Sequence, residues 1–207
     1  MGVLPDDLKP PDGVQGADGI LGMDALSHYL LVMDHDALRL KLMDPSGADT
    51  DVYRNWPSAE LTPYRAQEMD VTLWWLRAKF GDQGVTALLD MGSGITMLNW
   101  IAAEKLGLRK SSFDKAPISQ NLRDALGTME PVVTVKGLTI TIANRTFAAQ
   151  TVIVANAAVF RYFGLDNKAA AIIGPALLRY NSLAIDFSRR RVYIGPTSKT
   201  ALADVPC

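Results

Sequence analysis

At 207 residues the chain has room for one large domain or two small ones. An apolar share of 48% and a charged share of 21% are ordinary for a globular protein, and a formal net charge of −1 gives no electrostatic ground for nucleic acid or an anionic membrane as partner. The single cysteine, Cys207, excludes an intramolecular disulfide and a thiolate metal cluster, and no apolar run reaches the roughly 18–20 residues of a membrane span.

Residues 1–19 are rich in Pro, Gly and Asp and read as loop. The opening Met1-Gly-Val-Leu-Pro-Asp-Asp7 has no basic stretch followed by an apolar core, so no signal peptide is expected there. Ile20-Leu21 is a short apolar strand that stops at Gly22 and opens a helical turn. Tyr29–Met33 is a second apolar run. After a turn at Asp36-Ala37, Leu38–Leu42 alternates as a half-exposed strand. Residues 46–66, polar around Trp56-Pro57, read as a connector. Asp70–Lys79 is a strand, Phe80–Gly84 a hairpin turn, and Val85–Leu89 returns to Asp90. Trp74 and Trp75 adjoin on a strand and therefore face opposite ways. Leu98, Ile101, Ala102 and Leu106 fall at helical spacing, with Gly107 at the C-terminal cap. Residues 109–124 have no clear period. Val132–Val135, Leu138–Ala143 and Thr146–Ala155 read as strands separated by turns at Lys136-Gly137 and Asn144-Arg145. Residues 156–168 read as loop. Ala169–Ile173 ends at Gly174, Pro175 opens a helical turn, and Leu183–Phe187 with Val192–Ile194 forms a closing hairpin.

The last segment restates the first. Ile20, Gly22, Leu26, Asp34, Leu40 and Leu42 recur as Ile172, Gly174, Leu178, Asp186, Val192 and Ile194, at a constant offset of 152 residues with no gap. Duplicated units are the simplest source of such an offset. A counterpart of Asp90 at the same offset falls upstream of Met1. The chain thus reads as the tail of one unit followed by the whole of another: residues 1–45 as the C-terminal remnant of a first lobe, 46–66 as connector, 67–197 as a complete lobe and 198–207 as a tail.

The organising stretch is Thr86-Ala-Leu-Leu-Asp90-Met-Gly-Ser-Gly-Ile-Thr96. An apolar strand runs into a carboxylate, and glycines then bend the chain so that backbone amides come close to it, a layout suited to chemistry. Asp90-Met-Gly-Ser resembles the Asp-Thr/Ser-Gly-Ala/Ser signature of the retropepsin-like and pepsin-like aspartic proteases. Ile172-Ile-Gly174 resembles that family's apolar-apolar-Gly element. The resemblance spans roughly residues 68–196. It implies a mainly β fold, a pepsin/retropepsin-like closed β-barrel lobe with short helices, in which the Ile-Ile-Gly strand threads beside the Asp loop. A flap is expected near Ala125-Leu-Gly-Thr128.

The resemblance assigns Asp90 as a catalytic carboxylate, with Gly92 and Ser93 holding it and Gly174 letting the neighbouring strand approach. The activity it implies is peptide-bond hydrolysis on a peptide or protein substrate, by a water activated between two carboxylates that share one proton. No cofactor and no metal are required. The chain holds a single Asp-x-Gly-Ser, so the second carboxylate comes from a homodimer or from a missing upstream lobe. Met91 stands where the family has Thr or Ser, whose hydroxyl bonds across the lobe interface. That departure keeps a catalytically inactive pepsin-fold binding or assembly module as the alternative. Compartment does not follow from these residues, though a periplasmic or secreted location fits if a targeting segment lies upstream.

Asp90-Met-Gly-Ser-Gly-Ile-Thr96 also resembles the first phosphate loop of actin-like and sugar-kinase ATPases, but that fold needs a second glycine-rich phosphate loop. Neither His28 nor His35 has a ligand set at metal spacing, and Ser93 has no histidine partner in its own unit, which argues against a serine hydrolase. Asp34 and Asp186 share a repeat position inside their hairpins and read as structural. Arg189-Arg-Arg191 reads as a solvated turn.

Overall fold

Short apolar runs bounded by glycine, proline and asparagine become strands, and the chain is mainly β with short helices. The structure, a computed structural model, describes residues 21–66, 71–110, 120–123 and 129–198. Gly22 caps α1 (Met23–Leu26), and β1 (Leu30–Asp34) turns back as β2 (Arg39–Met43). The stretch 46–66, expected as connector, holds a 3-10 turn (Thr50–Tyr53), β3 (Ser58–Glu60) and β4 (Thr62–Ala66). Leu61, between these two strands, is fully buried. β5 (Val71–Phe80) and β6 (Gln83–Leu89) form a hairpin whose turn uses Gly81 at φ 54°. β7 (Met97–Leu98), α2 (Trp100–Lys105) and β8 (Gln120–Arg123) follow.

β9 (Met129–Ile142) and β10 (Arg145–Val154) are joined by Ala143-Asn144, both at positive φ, the signature of a two-residue hairpin turn. Two strands were expected across 132–143. They are one, because Gly137 at φ 78° lies at a bulge, not a turn, and the register with β10 shifts beside it. The expected loop 156–168 contains α3 (Ala158–Tyr162), which buries Phe160. β11 (Ala170–Ile173) leads to Gly174, α4 (Pro175–Leu178), and the closing hairpin β12 (Asn181–Asp186) and β13 (Arg191–Thr197).

Among the described residues the strands form two sheets. One has the order β2-β1-β12-β13-β3. The other runs β4-β5-β6-β11-β7-β10-β9-β8, and an extra pairing of β5 with β9 curls it back on itself. The main core lies between the two sheets, where Trp74, Leu76, Phe80 and Ile173 pack with Leu183, Ile185, Val192 and Ile194. Trp75, one residue on, belongs to a separate cluster with Phe160, Phe163 and Leu165, as adjacent strand residues must. Both tryptophans are buried.

Candidate active site

β6 carries the chain through buried Val85, Ala87 and Leu88 and releases it at Asp90, which is half-buried. β11 lies parallel alongside, with Ile172 opposite Leu88 and Ile173 opposite Leu89. The ladder continues one step further: the Asp90 amide donates to the Ile173 carbonyl at 3.1 Å. The strand ending in Ile172-Ile-Gly174 therefore fixes the backbone of Asp90 directly.

The loop then wraps its own carboxylate. The Gly92 amide donates to Asp90 Oδ1 at 2.9 Å, and the Ser93 amide donates to the Asp90 carbonyl at 3.3 Å. A side chain added at Gly92 would sit 3.3 Å from Oδ1, so glycine keeps that oxygen open. The Ser93 hydroxyl donates to the Ile95 carbonyl at 3.0 Å. Gly174 closes the arrangement. A Cβ there would collide with the backbone carbonyls of Ile95 and Ser93, so only glycine lets the strand end and the loop touch. Its φ of −88° is open to any residue. Space alone demands glycine at this position.

Asn99 is a supporting residue that sequence reasoning missed. It is buried, caps α2 by accepting from the Ala102 amide at 2.9 Å, and accepts from the Ala170 amide at 3.1 Å. Its Nδ2 donates to the carbonyls of Leu165 and Lys168. One side chain thus ties the segment leaving the Asp loop to the start of β11. The available signal was an asparagine immediately before a helical period.

Met91, beside the carboxylate, is half-buried and packs against the main core. The expected flap at 125–128 lies outside the described residues. A cavity of about 810 Å³, lined by Tyr64, Trp75, Arg77, Phe163 and Lys168 among others, does not include Asp90. Among the described residues no group of three His, Cys, Asp or Glu side chains is placed to hold a metal ion, and no helix is long and apolar enough to cross a membrane.

The two aspartates at equivalent repeat positions each end a strand, Asp34 in β1 and Asp186 in β12, and accept from the turn that follows. Asp186 is fully buried and accepts from Ser188 Oγ (2.7 Å), the Arg189 amide (2.9 Å) and Arg189 Nη1 (2.8 Å). Burial pushes its carboxyl up, but these hydrogen bonds and the Arg189 charge outweigh that and hold it below the usual carboxylate range. Asp34 accepts from the Ala37 amide at 3.0 Å, the same three-residue reach that links Asp186 to Arg189. Leu38 and Arg190, also equivalent, both take positive φ, 50° and 54°.

No family model and no curated protein matches the sequence. Among solved structures, a retropepsin-like aspartic protease from Rickettsia conorii aligns at 15% identity over 66% of this chain and 92% of that one, with a TM-score of 0.42. The retroviral protease-like domain of Ddi1 from Leishmania major aligns at 16% identity over 66% and 100%, with a TM-score of 0.36. Basic 7S globulin from soybean aligns at 12% identity over 86% of this chain and 52% of that one, with a TM-score of 0.41. Likenesses this distant carry no functional weight.

Proposed function

We propose that the chain is part of an aspartic endopeptidase in which Asp90 supplies one carboxylate of a dyad. The observation that supports this most is the joint at Gly174: the carboxylate-bearing loop and the Ile172-Ile-Gly174 strand end touch so closely that no side chain fits between them. Such a joint holds the Asp90 backbone rigid while leaving its side chain half-exposed and already bonded by the Gly92 amide. The chemistry follows from two carboxyl groups held close together. They cannot both ionise, so they share a proton. The ionised one removes a proton from water, the water attacks the peptide carbonyl, and the protonated one donates to the carbonyl oxygen. The second carboxylate belongs to another lobe, from a second copy or from polypeptide preceding this one.

Met91 supports a second reading, a binding or assembly module without catalysis. Its thioether is committed to the core, and no hydroxyl is available at that position to bond across to another lobe. Cleavage of an unfolded protein separates the two. The enzyme reading expects turnover between about pH 3 and 6, where a shared proton is retained. Pepstatin-type inhibitors should block it, and Asp90→Asn should lower it by about 10³-fold. A well-folded chain that cleaves nothing across that range, alone or joined to a second Asp lobe, establishes the binding module instead.

A further inference from the structure

The outer face of the β5–β6 hairpin carries chemistry that the Asp90 loop does not use. Side chains alternate along a strand. Trp74, Leu76, Ala78 and Phe80 enter the main core, so Trp75, Arg77 and Lys79 share the opposite face. Phe160, Phe163 and Leu165 pack with Trp75 and cover part of that face. The cavity of about 810 Å³ is the part left open, bounded by Thr62 and Tyr64 of β4 on one side and by Phe163, Leu165 and Lys168 on another. It lies away from Asp90. β6 and β11 run parallel, with Thr86 beside Ala170 and Leu89 beside Ile173. The cavity takes in Thr86 and Ala169, at the start of these strands, whereas Asp90 follows their end. Four residues of extended chain, about 13 Å, separate Thr86 from Asp90.

The lining divides along β5. At one end three aromatic rings meet edge to face, Trp75 with Tyr64 at a centroid distance of 6.2 Å and with Phe163 at 6.5 Å. Two residues along, about 7 Å, Arg77 begins a cationic end that Lys79 and Lys168 complete. Lys168 reaches it because Ala170 stands beside Thr86, and Thr86 beside Arg77. Arg77 is set in place. Its Nη1 donates to Thr86 Oγ1 at 2.9 Å, and a Cβ on Gly84 would come within 3.2 Å of Nη2, so glycine leaves room for the guanidinium. The other N–H groups of the fork are left for an acceptor. Among the described residues none of these three cations has an ion pair. Glu60 is the one carboxylate on the described lining, and it stands directly opposite Arg191 of β13.

We propose that this cavity binds a small amphipathic carboxylate, with its apolar body against Tyr64, Trp75 and Phe163 and its head group on Arg77 and Lys168. A neutral apolar ligand would leave the cations unanswered, and a bare anion would leave the aromatic end wet. The volume of about 810 Å³ lies within the ~300–1,000 Å³ of small-molecule sites. From Trp75 the cationic end begins about 7 Å along the strand and finishes about 14 Å along it, which suits a medium-chain or aryl-substituted acid. The site does not involve Asp90, so it holds whether or not the chain is a protease.

Titration calorimetry on the 207-residue chain, at neutral pH and low salt, tests this with octanoate as the probe. We expect one saturable site, with octanol and acetate each binding at least about tenfold more weakly, because each answers only one end of the cavity. Arg77→Gln combined with Lys168→Gln, both at exposed side chains, should weaken octanoate about tenfold and leave octanol unchanged. Tyr64→Ala should weaken octanoate and octanol alike. Octanol that binds as tightly as octanoate overturns the proposal. So does octanoate that binds the double variant as well as the wild type, or that fails to saturate by about 5 mM. A pepstatin-type inhibitor that displaces octanoate would put the probe at Asp90, and an acidic peptide without apolar residues that outbinds it would make the cavity a protein-docking groove. Either result also overturns the proposal.

Discussion

The hairpins β1–β2 and β12–β13 are one design in two surroundings. Turn geometry, helix bounds, cap conformation and strand pairing agree between them. The second is covered by the sheet that leads to Asp90, and the first is open along its outer strand. The comparison teaches that the hairpin keeps its backbone form without that cover, while the energetic weight of its side chains depends on it. The pairing of β1 with β12 explains this. β1 is held on both sides, by β2 and β12, so the open hairpin borrows its order from the covered one.

Paired truncations put the largest number on that difference. Ile194 and Leu42 are equivalent, one fully buried and the other 44% exposed. Ile194→Ala removes a core side chain and should cost about 3–4 kcal/mol in urea unfolding. Leu42→Ala removes surface carbon and should cost about 0.5 kcal/mol or less. Similar losses at both positions would mean that the open face is covered in solution.

The glycine pair sharpens the contrast at the site itself. Gly174→Ala drives a methyl group into the carbonyls of Ile95 and Ser93, which are backbone and cannot turn aside. The expected loss is about 3 kcal/mol, with displacement of the Asp90 loop. At Gly22 the nearest atom to an added Cβ is Asp24 Oδ1, at 2.6 Å, the end of a side chain that can swing away. Gly22→Ala should therefore be within about 0.5 kcal/mol of neutral. Both positions have ordinary negative φ, so the comparison isolates packing from backbone strain. Amide exchange around residues 90–95 reads the loop displacement directly.

Much of this was legible from residues alone. Gly22 and Gly174 stood out because they kept a fixed spacing, and Asp90 stood out because apolar strand, acid and glycine follow one another. The strand ends and most turns followed from glycine and asparagine. What could not be read depends on partners far along the chain. Asn99 is an ordinary cap until Leu165 and Lys168, more than sixty residues away, bring their carbonyls to it. Gly137 satisfies a turn and a bulge equally well, and only pairing with β10 decides between them. Leu40 and Leu42 look like Val192 and Ile194 on paper. Exposure is a property of what covers a strand and is not written in the strand.

The smallest effect comes from the aspartates, and pH separates its causes. Asp186 is buried under three hydrogen bonds, whereas Asp34 is half-buried and accepts from the Ala37 amide of its own turn. Asp186→Asn keeps an acceptor but loses the charge that strengthens those bonds, which should cost about 1–2 kcal/mol near neutral pH. Asp34→Asn should cost at most about 0.5 kcal/mol. Because the folded Asp186 carboxyl lies below its usual value, its contribution is fully present above the unfolded value of about 3.9 and is lost as pH falls through the folded one. The gap between wild type and Asp186→Asn should therefore hold from about pH 7 to 5 and close below about pH 4. A gap that stayed open in acid would trace the loss to altered packing at the turn and not to the carboxylate's charge. The two hairpins would then differ at this position in shape as well as in cover.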